Sequence, residues 1–249
     1  MADWNEPRQT QQGFGSVPRA GGDVASRTTF DAGLRKYMLS IYNYMASGIL
    51  LTGIISMVTF SSGLAANFVG GGLLMWIVAL SPLAIVLAMS FGANRFSAGT
   101  LQLMFWGYAA LMGLSLSTLF FAYTAGSIAV TFFATAGAFA GLSLWGYTTQ
   151  KDLSGFGSFL IMGVVGLIIA SVINIFLQSP ALMWAVSFLG VLIFAGLTAY
   201  DTQRLKETYA HVRGTPMQGK VVIMGALSLY LDFINMFLFL LRFLGASRD

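Results

Sequence analysis

The chain has 249 residues, of which 57% are hydrophobic and only 9% are charged, and it contains no cysteine. A soluble domain carries about 25% charged residues, so this composition predicts a polytopic membrane protein. The absence of cysteine excludes disulfides, thiol catalysis and cysteine-ligated metal sites. The formal net charge of +4 does not indicate nucleic-acid binding, because the basic residues are spread over short connections between apolar runs.

The first 36 residues are polar and rich in glycine, arginine, threonine and glutamine. They lack the apolar core that a secretory signal peptide needs. We therefore expect residues 1–36 to form a disordered tail that stays on the side of the membrane where it is made.

Six runs in the rest of the chain are long and apolar enough to cross the hydrocarbon core, which takes about 20 residues of helix. The six runs are Tyr37 to Phe60, Val69 to Phe91, Leu101 to Tyr123, Ile128 to Tyr147, Phe159 to Leu177 and Ala181 to Tyr200. A seventh run, Val221 to Leu244, is also long enough but carries Asp232 and Asn235 near its middle. The predicted fold is therefore all-α, a seven-helix transmembrane domain over residues 37–249.

Positive charges occupy alternate connections between these runs. Arg95 follows the second predicted helix, Lys151 follows the fourth, and basic residues recur through residues 204–220 after the sixth. The three intervening connections carry neither Lys nor Arg. This asymmetry predicts a cytoplasmic amino terminus. The charges leave open whether the seventh run crosses completely or enters and returns.

Glycine spacing suggests how two of the helices pack. Gly137 and Gly141 form a small-xxx-small pair in the fourth predicted helix. Gly163 and Gly166 leave one side of the fifth predicted helix without side chains. We interpret both pairs as sites of close helix packing.

Asp232 is the most unusual residue of the seventh run. An ionisable group at membrane depth costs about 2.5–3.5 kcal/mol on insertion scales, and it usually faces the protein interior or a water-filled path. Steps of three and four residues place Ser228, Asp232, Asn235 and Arg242 on one stripe of an otherwise apolar helix. Such a helix fits a central position, wrapped by the other six.

Asp201 lies at the cytoplasmic end of the sixth run, in "LTAYDTQRLKETY". Because the sixth and seventh runs are sequential and oppositely directed, we expect Asp201 and Asp232 to meet in one cavity. Two carboxylates in a poorly solvated site cannot both ionise cheaply, so the pair would share a proton. When deprotonated, the same pair is a hard oxygen site able to attract Ca²⁺. Arg95 is a candidate partner that would close the cavity by pairing with Asp201.

Structural interpretations stay open for the same residues. Asp201 is also explained as a helix-end carboxylate that pairs with Arg204, and Asp232 as a buried carboxylate satisfied by neighbouring hydroxyl or backbone groups. Arg95 is also explained as a topology anchor, and Arg242 as an arginine that extends to the membrane interface.

Enzymatic chemistry is not indicated. The single histidine, His211, lies in a charged loop, and with no cysteine a zinc centre is implausible. The serines have no partner base within the membrane segments. We expect neither an enzyme nor a bound cofactor, with Ca²⁺ and H⁺ as the species that the protein handles.

The motif "AYDTQ" in the sixth run, followed by "SLYLDFINMFLFLLRFLG" in the seventh, resembles the Bax inhibitor-1 family, also called the transmembrane Bax inhibitor motif family, in its bacterial branch. The resemblance covers residues 30–247. It implies seven helices with the last one central, and a pH-sensitive calcium leak across the bacterial cytoplasmic membrane governed by two aspartates. Asp201 and Asp232 match those aspartates. Arg95, in "SFGANRFSAG", sits where the family has a basic residue proposed to latch the first aspartate.

The resemblance also implies a second class of function. Some bacterial members are understood as modulators that bind a membrane-anchored ATP-dependent protease, and eukaryotic members suppress cell death through partners. The long amino-terminal tail would suit such contacts. A modulator of this kind would not transport ions.

Overall fold

The computed structural model describes residues 21–70 and 72–246, with side chains from residue 29 onwards, and the regular structure of this part of the chain is entirely helical. The helices are α1 Gly21–Ser61, α2 Ala66–Val69, α3 Leu73–Gly92, α4 Ala98–Leu116, α5 Leu119–Ala122, α6 Ala125–Thr148, α7 Ser154–Leu177, α8 Pro180–Val212 and α9 Gln218–Leu244. Seven spans among them are long and apolar enough to cross a membrane, with α4 and α5 forming one span. The predicted all-α fold is confirmed, and the chain is a multi-pass membrane protein.

The first helix begins earlier than the sequence indicated. α1 starts at Gly21, so residues 21–36 are helical where disorder was expected, whereas residues 1–20 of the predicted tail lie outside the described residues. An apolar stripe extends the first run back as far as Phe30, since Phe30, Leu34 and Met38 follow one another at four-residue steps. The chain divides into two units, Met1–Lys36 and Tyr37–Asp249, and the candidate site lies wholly in the second.

The last helix, α9, is the most buried of the spans. In its most apolar stretch 67% of the residues are buried, whereas no other span exceeds 33%. α9 packs against α4, α6 and α8, and the Tyr230 hydroxyl hydrogen-bonds to Thr52 of α1. Its placement at the centre of the bundle stays a prediction, which this burial supports.

The same helix is continuous over 27 residues. At 1.5 Å per residue it is about 40 Å long, which exceeds the roughly 30 Å of a hydrocarbon core. A segment that enters and returns needs a break in the helix. Of the two alternatives that the charges leave open, complete crossing therefore fits this helix.

The outer helices present apolar side chains outward. In α7 only 11% of the most apolar stretch is buried, and the Phe176 side chain is 83% exposed. In water such a surface would promote association, but a hydrocarbon environment suits it. The burial pattern therefore agrees with a bundle that turns its polar groups inward.

The glycine spacing was misleading in α6. A Cβ atom built at Gly137 or Gly141 meets no described heavy atom within 4 Å, so these glycines face outward and the predicted packing there is wrong. The close approach occurs at Gly146, where a Cβ would lie 2.9 Å from the Ala199 Cα of α8. In α7 the contact is one-sided, since Gly163 faces Ile193 whereas Gly166 faces open space. Spacing identifies a small-residue stripe, but it does not say which face of the helix meets a neighbour.

The substitution Gly146→Ala is expected to destabilise the protein by about 1–3 kcal/mol, as overpacking does in a well-packed core. The added methyl group would overlap the Ala199 backbone, which cannot move aside as a flexible side chain can. Thermal unfolding of the purified protein in detergent measures this loss of stability.

The matched control is Gly141→Ala, the same change in the same helix but in open space. Alanine has the higher helix propensity, so this variant should unfold at or slightly above the wild-type temperature. Equal unfolding temperatures for the two variants would contradict the close α6–α8 contact.

Candidate functional site

Asp201 is a buried carboxylate within α8. The helix continues past the predicted end of the sixth run to Val212, so Asp201 lies about three turns inside it and not at its end. Its side chain is 8% exposed, and its Oδ2 accepts a hydrogen bond from the Ser228 hydroxyl of α9. Arg204, one turn further along α8, interacts with it electrostatically. The hydrogen bond joins the two sequential helices at the first predicted site residue.

Asp232 lies on α9 one helical turn beyond Ser228 and is 5% exposed. Its Oδ2 is buried and has no hydrogen-bond partner among the described residues. Residues four apart share a helix face, so Asp232 lies on the same face of α9 as the Ser228 hydroxyl that binds Asp201. The structure therefore brings the predicted pair together, with Ser228 between them along the helix surface.

A cavity of about 400 Å³ leads to this pair from the basic face, by which we mean the turns 93–97, 149–153 and 213–217. Asp201 and Ser228 contribute to its wall, whereas Asp232 does not and lies one layer deeper. The remaining wall comes from the end of α3, from α8 and α9, and from the adjoining turns: Ser90, Ala93, Asn94, Arg204, Leu205, Thr208, Met217, Lys220, Val221, Met224, Gly225, Leu227 and Leu231. The cavity is large enough to hold water molecules, and its wall includes the buried carboxylate of Asp201.

Two cations share this wall. Arg204 is exposed at the mouth, and Lys220 Nζ donates to the Asn94 carbonyl oxygen at 3.4 Å. Arg204 was named from the sequence as an alternative partner of Asp201, whereas Lys220 was not assigned to the site, although its signal was present. Arg204 lies three residues after Asp201, and Lys220 lies eight residues before Ser228, so both share a helix face with a site residue.

Arg95 is placed differently from the predicted latch. It is exposed in the turn after α3, where its backbone N–H donates to the Gly92 carbonyl at 2.9 Å, and it is not among the described residues that line the cavity. An ion pair between Arg95 and Asp201 therefore needs a conformation other than this one. Arg204 occupies the corresponding electrostatic position here.

The other residues of the predicted stripe on α9 lie in different surroundings from one another. The Asn235 amide donates to the Leu231 carbonyl of its own helix at 2.8 Å. Arg242 lies near the other end of α9, with its guanidinium 5.7 Å from the centroid of the Phe239 ring. Of the supporting residues, only Ser228 contacts the carboxylate pair.

Buried hydroxyl groups fix the helices around the pair. The Ser143 hydroxyl of α6 hydrogen-bonds to Thr202 of α8 at 2.8 Å and to Tyr42 of α1 at 2.5 Å. Thr52 of α1 hydrogen-bonds to the Tyr230 hydroxyl at 2.6 Å and donates to the α4 backbone at 2.8 Å. Satisfied polar groups of this kind define a single arrangement of a buried cluster.

Gln203, two residues after Asp201, attaches the turn 149–153 to α8. Its Oε1 accepts from Leu153 N at 2.9 Å, and its Nε2 donates to the Lys151 carbonyl at 2.8 Å. Lys206 donates to the Tyr147 carbonyl at 2.7 Å, at the carboxyl end of α6. These bonds hold the basic-face ends of α6 and α7 against the helix that carries Asp201.

The same turn contains an exposed carboxylate outside the membrane spans. Asp152 Oδ1 accepts from Ser154 N at 2.8 Å, and this bond holds the pKa of Asp152 below its usual value. Asp152 is therefore charged at neutral pH, and it differs from the buried pair in its full contact with solvent.

The described residues hold no group of three or more His, Cys, Asp or Glu side chains that could bind a metal ion tightly. A cation at the pair would meet the two carboxylates and the Ser228 hydroxyl, fewer oxygens than the six to eight that Ca²⁺ prefers. Water or backbone carbonyls would have to complete the shell, so the donor set suits transient binding.

Comparison with known proteins identifies relatives over nearly the whole chain. The family model described as "Inhibitor of apoptosis-promoting Bax1" matches residues 34–249. The inner membrane protein YbhL of Escherichia coli K12 is 45% identical over 235 residues, which cover 93% of this chain and 98% of YbhL. A protein of Caulobacter vibrioides is 47% identical over 244 residues, covering 94% and 96%. A protein of Rickettsia prowazekii is 47% identical over 226 residues, covering 91% and 96%.

The substitution Gln203→Leu should release the turn 149–153 from α8, because both side-chain hydrogen bonds are lost. Amide exchange at Leu153 should accelerate by about three- to tenfold, as expected for the net contribution of one hydrogen bond. Gln203→Glu keeps the acceptor for Leu153 N and should protect that amide better than Gln203→Leu. Hydrogen–deuterium exchange resolved to the turn measures these rates.

The matched control is Gln150→Leu, the same substitution at an exposed position in the same turn. It should leave the Leu153 exchange rate unchanged. Acceleration by the control to the level of Gln203→Leu would contradict the role assigned to Gln203.

Proposed function

The chain belongs to the Bax inhibitor-1 family, and from that membership and the carboxylate geometry we propose that it is a pH-sensitive calcium leak channel gated by Asp201 and Asp232. The observation that carries the proposal is the position of Asp201 in the wall of the cavity on the basic face, with Asp232 buried on the helix that its partner Ser228 belongs to. Asp201 touches the cavity, and Asp232 lies one layer beyond it. A cation entering from the basic face would therefore meet the two carboxylates in succession.

Competition between Ca²⁺ and H⁺ follows from the burial of the pair. Two neighbouring carboxylates in a poorly solvated site repel each other when both are charged, so a proton or a cation stabilises them. A proton removes one of the two negative charges and so weakens the attraction of the pair for Ca²⁺. The occupancy of the site by Ca²⁺ is therefore coupled to pH.

The two basic side chains in the cavity wall weaken the attraction of the carboxylate pair for Ca²⁺. Arg204 interacts with Asp201 and Lys220 shares the same wall, so an entering cation displaces part of a favourable electrostatic interaction. Weak binding lets the ion leave as well as enter, which conduction requires. Closure by Arg95, as the family resemblance implies, would follow from a movement of α3 towards α8.

The orientation proposed here places the basic face in the cytoplasm. The connections that bear Lys and Arg all lie on that face, as the positive-inside rule requires for a cytoplasmic side. The relative in Escherichia coli is named an inner membrane protein. The cavity then opens to the cytoplasm of a bacterial cell, and the pair responds to cytoplasmic pH.

Liposomes that contain the purified protein and a calcium indicator test the proposal. The initial rate of Ca²⁺ flux through the wild type should change across pH 6 to 8, and Asp201→Asn or Asp232→Asn should reduce that change by about fivefold or more, because a single carboxylate titrates without its partner. Asp152→Asn makes the same chemical change at the exposed turn and should leave the profile intact.

Absence of flux for the wild type at every pH in this range would overturn the channel proposal. Capture of a membrane-anchored ATP-dependent protease by the full chain, together with that absence, would instead support a modulator that does not transport ions. Equal pH profiles for the wild type and both buried-site variants would remove the aspartates from the mechanism.

The orientation is tested by cysteine labelling, which has no background because the natural chain has no cysteine. In intact cells, a thiol reagent that cannot cross the membrane should label Ser62→Cys, on the face opposite the basic one, and should leave Lys151→Cys unlabelled. Both positions are exposed in the structure. The reverse labelling pattern would place the basic face outside the cytoplasm.

A further inference from the structure

A second cavity lies at the opposite end of the bundle from the carboxylate pair. Its volume is about 190 Å³, and it is lined by Ser171, Asn174, Ile175, Met183, Val186 and Arg242. These residues belong to α7, α8 and α9, which meet there around the connection 178–179. No part of this cavity is shared with the calcium proposal, so it stands independently of it.

An aromatic cluster marks the depth of this cavity in the membrane. The Trp184 ring stacks on Phe188 with centroids 5.7 Å apart, and it lies 5.5 Å from the ring of Phe243. Tryptophan is enriched at the level of the lipid headgroups. Phe243 directly follows Arg242, so the guanidinium lies near the depth at which lipid phosphates are found.

The polar lining of the cavity offers hydrogen-bond donors and carries one positive charge. Among the residues that line the cavity, none is acidic, and Arg242 is exposed beside the Phe239 ring. The Asn174 Oδ1 accepts from Ser179 N at 3.0 Å, which leaves its amide nitrogen as a donor. Ser171 adds a hydroxyl. An oxyanion supplies the charge and the acceptors that this set lacks.

We propose that this cavity binds the phosphate of an anionic glycerophospholipid. Arg242 contacts the phosphate through its planar, forked donors, a geometry that suits two phosphate oxygens. Asn174 and Ser171 supply neutral donors, and the apolar side chains of Ile175, Met183 and Val186 contact the first methylene groups of the acyl chains. A lipid without a headgroup cation is preferred, because a choline group would bring a second positive charge close to Arg242.

Purified protein in uncharged detergent, titrated with short-chain phosphatidylglycerol or with phosphatidylcholine, tests the proposal. Phosphatidylglycerol should raise the unfolding temperature at lower concentrations than phosphatidylcholine does. Arg242→Gln should weaken the apparent affinity for phosphatidylglycerol by about tenfold, the size expected for a charge-assisted hydrogen bond. Lys151→Gln removes the same charge at the basic face and should leave the affinity unchanged.

Two further variants keep the test decisive if Arg242→Gln does not fold. Asn174→Asp retains the acceptor for Ser179 N but replaces the donor with a negative charge, so it should also weaken phosphatidylglycerol binding. Arg242→Lys keeps the charge but loses the forked geometry, and it should give an intermediate affinity.

Three outcomes would overturn the proposal. The first is an unchanged preference for phosphatidylglycerol in Arg242→Gln and Asn174→Asp. The second is equal stabilisation by phosphatidylglycerol and phosphatidylcholine in the wild type. The third is equal stabilisation by inorganic phosphate at matched ionic strength, which would assign the cavity to a free anion and exclude the lipid.

Discussion

A carboxylate at membrane depth must be surrounded by protein, because hydrocarbon cannot solvate its charge. Asp232 imposes this constraint on α9, and the structure meets it by burying α9 more completely than any other span. Outward-facing apolar residues on helices such as α7 complete the arrangement. This burial keeps Asp232 away from lipid and supports the predicted central position of α9.

Three consecutive residues of α8 connect this arrangement to its neighbours. Asp201 contacts Ser228 of α9, Thr202 contacts Ser143 of α6, and Gln203 binds the turn before α7. Successive residues of a helix point about 100° apart, so three adjacent side chains reach three different partners. The helix that carries the first carboxylate is therefore also the one that positions the surrounding helices.

Much of this was predictable from the sequence, and the failures have identifiable causes. Hydropathy located all seven spans because length and apolar content are local properties. Two sequential, oppositely directed helices led to the expectation that Asp201 and Asp232 lie close together, and the stripe on α9 placed Ser228 beside Asp232. The hydrogen bond from Ser228 to Asp201 was not expected. The packing predicted at Gly137 was wrong because small residues also face lipid, and only tertiary contacts distinguish Gly146.

The buried charge of α9 also bears on how the protein is made. As an isolated helix entering the membrane, α9 would incur a penalty of about 2.5–3.5 kcal/mol for Asp232. Six other described spans precede it along the chain, however, and α8, which supplies its main packing surface and the Asp201–Ser228 bond, comes directly before it. The order of the helices along the chain thus lets the earlier spans assemble a protein surface before the segment that carries Asp232 leaves the ribosome.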